Sequence, residues 1–316
     1  MVKRDFGRIG VLMGGISRER EISLKSGNAV YKVLKEAGFD VVALDINSPD
    51  IQENIQKILS SKIEVAFIAL HGKFGEDGTM QKILEELNIP YTGSGVLASK
   101  LALDKVLSHR YFQMAGLNVP PYIVINKDNF RDKIDLEKFN FPLVVKPATE
   151  GSSIGVSIVE DKEGLIKSIE FAFSFDERVI IEEYIKGREL TVGILDEKPL
   201  PIIEIVPKKS FFDYEAKYTK GLTDYIVPAK IEQRLASKVK NSALFAHKSL
   251  GCFGFSRVDM ILKEDKVYVL EVNTIPGLTE TSLLPKAAQA EGISFLELCL
   301  KLIESSFKRN KITTKV

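Results

Sequence analysis

Over its first 95 positions the chain alternates short apolar runs with stretches of helical period. The runs are RIGVLM (8–13), VVALDI (41–46) and EVAFIAL (64–70), and between the first two, apolar positions such as Val30 and Leu34 recur at helical spacing. This alternation predicts a parallel, doubly wound sheet. Gly14-Gly15 and His71-Gly72 fall just past the first and third runs, at the carboxyl ends where open α/β sheets bind ligands. Gly14-Gly15 lacks the full G-x-G-x-x-G fingerprint, and a tight turn into a helix would use the same residues.

From Ser99 to about Lys186 the pattern changes. It predicts a helix from Lys100 to Ala115, a turn at Pro120-Pro121, strands FPLVVKP (141–147), IGVSIVE (154–160) and RVIIEEYI (178–185), and a helix from Glu163 to Phe173. That is a small α+β unit. Beyond Gly187 come strands ELTVGIL (189–195) and PIIEIV (201–206), a polar loop from Lys208 to Val227, a long helix from Glu232 to Leu250, a strand pair and two closing helices. The expected fold class is therefore α/β and α+β, divided at 1–95, 96–186 and 187–316. The loop 208–227 carries Phe211, Phe212, Tyr214, Tyr218 and Tyr225 among charges, and its length suits an active-site cover.

Bulk composition removes several partner classes. Lys and Arg number 44 against 43 Asp and Glu in 316 residues, so no global field draws the protein onto nucleic acid or an anionic membrane. No apolar stretch approaches a membrane span, and the short run Ile9–Met13 leads straight to Arg18, Glu19, Arg20 and Glu21, unlike a signal peptide. Cys252 and Cys299 have neither disulfide-framework nor metal-ligand spacing, which points to packing roles in a reducing compartment. The basic end Lys308–Lys311 reads as a solvated terminus.

The chemistry concentrates in GCFGFSRVDMILKEDKVYVLEVNTIPGLT, 251–279. Strand alternation puts Arg257 with Asp259 on one face of the first run and Glu271 with Asn273 on one face of the second. These are oxygen donors without a His or Cys set, suited to a hard cation such as Mg2+. Charges alternating outward on a half-exposed hairpin would give the same pattern, but Asn273 runs directly into the turn Thr274-Ile275-Pro276-Gly277, which favours a catalytic loop.

No P-loop motif occurs. Lys146 instead ends an apolar strand before PATEGSSIG (147–155), a Gly/Ser segment able to fold over phosphate oxygens; a lysine snorkelling from a strand end is the alternative. Glu182 and Glu189 sit at the junction of the second and third units, where a nucleotide cleft would form.

Taken together, these segments resemble the ATP-grasp enzymes and, within them, the D-alanine-D-alanine ligases. The resemblance runs from Gly14 to Pro285 in the family's order: GGISREREISLKSG, HGKFGEDGTMQ, GSGVLASKLALDK, VVKPATEGSSIGV, FFDYEAKY, GCFGFSRVDM and EVNTIPGLTETSLLP. Thr149 and Ile275 depart from the family pattern at positions expected to vary.

The resemblance implies a three-domain ATP-grasp architecture and ATP-dependent joining of two D-alanine molecules through an acyl phosphate, in the cytoplasm, for peptidoglycan precursors. It implies that Lys105 and Lys146 contact ATP phosphates, Glu182 reads adenine and Glu189 the ribose. Asp259, Glu271 and Asn273 would hold two Mg2+ ions, for which Mn2+ could substitute. Glu19, with His71 nearby, would bind the first D-alanine ammonium and tie through Ser152 to Tyr218, while Lys217 would reach phosphate from the lid. Arg257 and the Gly277 backbone would steady the oxyanion, and Ser282 with the Leu283 N–H would take the second carboxylate. Independently of the resemblance, Ser282 precedes a helix start marked by Pro285, where N–H groups attract an anion; a plain N-cap serine would look the same. The family commonly forms dimers, so a homodimer is expected on that ground.

Overall fold

The computed structural model describes residues 5–132, 140–208 and 223–313. Its first sheet has the order β2-β1-β3 and is wholly parallel, from β1 (Ile9–Met13), β2 (Val41–Asp45) and β3 (Val65–Ile68). Every residue of β1 and β3 is buried. Their side chains divide by alternation: Ile9, Val11, Met13, Val65 and Phe67 enter one core, and Leu12, Ala66 and Ile68 enter another. The first core is closed by α1 (Arg20–Glu36) and by the final helix, the second by α2 (Ile51–Ser61) and α3 (Thr79–Glu86). Helices on both faces make this the doubly wound sheet predicted from the apolar runs.

Two antiparallel sheets follow. One has the order β4-β7-β5-β6, built from β4 (Tyr122–Asn126), β5 (Leu143–Pro147), β6 (Ser157–Val159) and β7 (Arg178–Glu183). α6 (Lys162–Ala172) packs Leu165 and Ile169 onto it, and Asp161 caps that helix by accepting from the Gly164 N–H at 2.8 Å. The other has the order β11-β10-β8-β12-β13, with β9 (Lys198–Pro199) pairing β8 (Arg188–Leu195). Its remaining strands are β10 (Ile203–Pro207), β11 (Thr223–Ile226), β12 (Phe255–Lys263) and β13 (Lys266–Asn273).

Two predicted elements differ. The expected helix from Lys100 to Ala115 is two helices, α4 (Val96–Leu103) and α5 (Lys105–Met114), because Asp104 leaves helical geometry and caps α5 by accepting from the Val106 and Leu107 N–H groups, each at 3.0 Å. Arg178 of β7 fixes the same carboxylate at 2.5 Å. The break places Lys105 in the first turn of α5. The strand expected over 154–160 shortens to β6, since Ser152, Ser153 and Gly155 all adopt left-handed backbone and turn the chain.

The later helices are α7 (Gln233–Ser249), α8 (Leu283–Ala290) and α9 (Phe295–Thr313). Cys252 and Cys299 are buried free thiols, as packing roles require. Among the described residues no helix is long and apolar enough to cross a membrane. The expected cover, 208–227, falls mostly outside the described residues, and Lys217 and Tyr218 with it.

Candidate active site

Two cavities meet where the three sheets converge. The larger, about 450 Å³, is lined by Glu19, His71, Ser152, Arg257, Asn273, Gly277, Ser282 and Leu283. The smaller, about 120 Å³, is lined by Lys146, Glu182, Glu189 and Asp259. Lys105, Glu150, Gly151 and Glu271 line both and form the wall between them. The structure therefore brings together every predicted site residue that it describes.

The hairpin β12–β13 has the predicted register. Arg257 lies opposite Asn273 and Asp259 opposite Glu271, with an irregularity just beyond Asp259. Directly opposed residues share a face, so two carboxylates and an amide are neighbours there. Arg257 grips Asp259 with two N–H groups, at 3.0 and 2.8 Å, and Thr191 of β8 donates to the same carboxylate at 2.6 Å. The Asn273 side-chain oxygen accepts the Ile275 N–H at 3.0 Å and shapes the turn toward Gly277. Among the described residues no three His, Cys, Asp or Glu side chains converge as a closed metal cage. Two carboxylates plus an amide oxygen, open to the cavities, fit a hard divalent cation that takes its remaining ligands from substrate phosphates.

Across the wall, Lys105 donates from Nζ to the Glu150 carbonyl oxygen at 2.6 Å and lies 3.7 Å from Glu271 Oε2. Lys146, almost fully buried, meets an anion as its position requires, namely Glu182 Oε1 at 2.7 Å. Between these lysines runs the turn 149–155. Asp176 anchors its start, accepting from the Thr149 N–H at 2.8 Å and hydroxyl at 2.7 Å. Ser152 and Ser153 hold left-handed φ angles of 50° and 58°, a strained conformation for side-chain-bearing residues that surrounding contacts must maintain.

One such contact is from the Ser152 hydroxyl to Glu19 Oε1. A Cβ at Gly151 would sit 3.0 Å from Glu19 Oε2, tighter than ordinary packing, so glycine eases the turn's approach to that carboxylate. Burial, and next the Glu76 carboxylate, push Glu19 above the usual carboxylate range, while the Ser152 hydroxyl and His71 oppose the shift. A buried carboxylate of that kind favours a bound ammonium. His71 faces Glu76 from Nδ1 at 3.3 Å and Ser26 Oγ from Nε2 at 3.2 Å, and Ser26 Oγ accepts the Leu278 N–H at 3.2 Å. At the cleft's far side, Ser282 holds the N-cap position of α8 but its side chain makes no capping bond; its hydroxyl pairs with Thr279 Oγ1 at 2.7 Å and accepts the Thr279 N–H at 3.1 Å.

Family models for the D-ala D-ala ligase N-terminus and C-terminus match residues 48–94 and 111–304. The chain belongs to the D-alanine–D-alanine ligase family. It is 48% identical over 302 residues to the D-alanine--D-alanine ligase of Syntrophotalea carbinolica, covering 96% of this chain and 97% of that one. To the same-named protein of Trichlorobacter lovleyi it is 50% identical over 293 residues, covering 91% of each. The Bacillus anthracis D-alanine--D-alanine ligase complexed with ATP superposes with a TM-score of 0.85 at 39% identity, covering 97% of this chain and 99% of that one. The VanG D-Ala:D-Ser ligase of Enterococcus faecalis gives 0.82 at 32% identity, covering 96% and 100%.

In this member of the ligase family, three site residues escaped sequence reasoning. His109 is fully buried on α5, its Nε2 3.0 Å from the Leu270 carbonyl and its Nδ1 3.7 Å from Glu182 Oε1; burial holds its pKa below the ordinary histidine value. Its spacing of four from Lys105 put both on one helix face, the available signal. Glu76 and Ser26 lay inside segments already singled out, but a carboxylate five positions from its histidine in an irregular loop has no periodicity to reveal the contact.

Proposed function

We propose that this protein joins two D-alanine molecules at the expense of ATP, for peptidoglycan precursors. The observation that carries the reading is the shared wall of Lys105, Glu150, Gly151 and Glu271, which sets a small cavity with buried lysine against a larger one holding a buried carboxylate. Phosphoryl transfer between substrates in adjoining pockets needs such a junction.

In the smaller cavity, Glu182 and Glu189 would hold adenine and ribose, with Lys146 and Lys105 directed at the phosphates. Glu19, beside His71, takes the ammonium of the first D-alanine. The carboxylate of that D-alanine attacks the γ-phosphorus, the bond to ADP breaks and ADP departs, and an acyl phosphate forms. The second D-alanine, its carboxylate held by Ser282 and the Leu283 N–H, attacks the acyl carbon with its amine; the developing oxyanion is met by Arg257 and the Gly277 backbone, and inorganic phosphate leaves. Positioning and charge neutralisation supply most of the rate in such transfers. Asp259, Glu271 and Asn273 would hold Mg2+, which when bound neutralises phosphate oxygens. Tyr218 and Lys217 belong to the lid in this reading, and exclusion of water protects the acyl phosphate. The three-domain division and a cytoplasmic homodimer complete the proposal, the latter checked by light scattering and fractionation.

The deciding experiment follows phosphate release and product mass with ATP and Mg2+, for D-alanine alone and paired with D-serine, D-lactate or L-alanine. D-Alanyl-D-alanine as the main product supports the reading. A mixed product would move the assignment of the second subsite, and ATP binding without any product would defeat it.

A further inference from the structure

The turn that faces the smaller cavity contains one acid, Glu150, at the place where phosphate oxygens are to sit. Its side chain is largely buried and lines both cavities. A carboxylate there repels a nucleotide triphosphate unless a cation neutralises it. Lys105 hydrogen-bonds the Glu150 carbonyl oxygen at 2.6 Å and lies 3.7 Å from Glu271. The Glu150 carboxylate meets Lys73, whose Nζ stands 2.8 Å from Glu150 Oε1 across 77 positions of sequence.

Lys73 is held out for this contact by its own backbone. Gly72 before it and Phe74 after it both have left-handed φ angles, 69° and 75°, and the Phe74 N–H is fixed on Asp77 Oδ2 at 2.9 Å. A phenylalanine in that region is uncommon and costs energy, so the turn is maintained by its surroundings. The Lys73 side chain is 55% exposed and stands outside the lining of both cavities.

We propose that Lys73 is a positioning residue that neutralises Glu150 from the neighbouring sheet's loop and so sets the affinity of the phosphate turn for ATP. The inference rests on the ligase reading, in which the turn 149–155 receives the phosphates. Together with the Ser152–Glu19 contact, it gives the strained turn two ties to the loops that follow β1 and β3. One tie involves the carboxylate assigned to the amino acid, and the other governs charge beside the nucleotide.

The test is a double-mutant cycle in the full-length protein with Lys73→Met, Glu150→Gln and both together, measuring Mg2+–ATP affinity by calorimetry and steady-state KM and kcat. Lys73→Met is expected to weaken ATP binding and raise the KM for ATP on the order of 2–5-fold, the size of one partly exposed ion pair, with kcat and the KM for D-alanine nearly unchanged. Glu150→Gln should shift ATP affinity on its own account, and adding Lys73→Met to it should change nothing further, because the charge that Lys73 offsets is gone. An unchanged ATP affinity in Lys73→Met, a loss that persists in full in the double variant, or a defect confined to D-alanine would each overturn the proposal. Calorimetry reads ATP directly, so a protein that binds ATP yet makes no dipeptide would defeat the substrate reading alone, and the cycle would still decide the pair.

Discussion

Lys105 reaches from the first turn of α5 to the carbonyl oxygen of Glu150, 2.6 Å away, and so spans the wall between the two cavities. The ammonium also lies 3.7 Å from Glu271. One lysine therefore touches the phosphate turn and the candidate metal strand together. Replacing Lys105 by Met, or Glu271 by Ala, is expected to lower kcat by a factor on the order of 10²–10³, as for loss of one transition-state electrostatic partner. Stopped-assay dipeptide formation at saturating substrates checks this; near-parental turnover in either variant would remove these residues from the chemistry.

Glu19 links stability to function in opposite directions. Its carboxyl is pushed up by burial and by Glu76, so ionisation is disfavoured in the folded, ligand-free protein. The sign follows from proton linkage: the stabilising contribution is complete below the unfolded value and is lost as pH rises through the raised folded one. Glu19→Gln should therefore raise the thermal midpoint of the ligand-free protein at neutral pH while abolishing D-alanine binding. Calorimetric scans that show an equal or lower midpoint would refute the destabilising role.

His247 predicts the acid side of the stability profile. Burial depresses its pKa from 6.5 to about 4, and its Nδ1 is 2.7 Å from Ser256 Oγ. A depressed histidine contributes stability that is present above the unfolded pKa and is lost as pH falls below it toward the folded value. The loss amounts to roughly 3 kcal/mol at most when the shift is converted at 1.36 kcal/mol per unit. Denaturant midpoints between pH 7 and 4 should fall steeply in the parent and less steeply in His247→Gln. Parallel profiles would assign the acid sensitivity elsewhere.

Ser282 offers a specificity test with little structural cost. Its hydroxyl binds Thr279 rather than capping α8, so Ser282→Ala removes a group aimed at the cleft without uncapping a helix. The KM for the second D-alanine should rise by roughly 5–100-fold, a hydrogen bond to a charged group being worth about 1–3 kcal/mol, with the first-site affinity unchanged. A uniform fall in both affinities would point to collapse of the loop 277–282 instead.

Much of this was legible in the chain because it depended on period. The fully apolar runs at β1 and β3 announced strands covered on both faces, and alternation paired Arg257 with Asp259 and Glu271 with Asn273, leaving only the hairpin register to bring the two pairs together. What stayed hidden depended on single residues overriding a period. Asp104 breaks a helix whose apolar spacing runs on past it, since a cap needs only one carboxylate turned back on two N–H groups. The partner of Lys146 was likewise invisible: burial demanded an anion, but only the β5–β7 pairing, which sets Glu182 opposite Val144, two residues from Lys146 and so on the same face, supplied its identity. The Ser26–His71–Glu76 chain joins an element, a loop and a turn with no shared periodicity.

The core of the first sheet has a consequence for how the polypeptide is made. Ile9, Val11 and Val65 are buried beside Leu298, Cys299, Leu302 and Ile303 of α9, and Phe6 stacks on Phe307 with ring centroids 6.1 Å apart. As the chain leaves the ribosome, β1 and β3 must wait for α9, made long after them, before that apolar face is shielded. Vectorial synthesis therefore yields no finished amino-terminal unit; a nascent chain stalled short of α9 presents an open hydrophobic face, the kind of surface that chaperones hold.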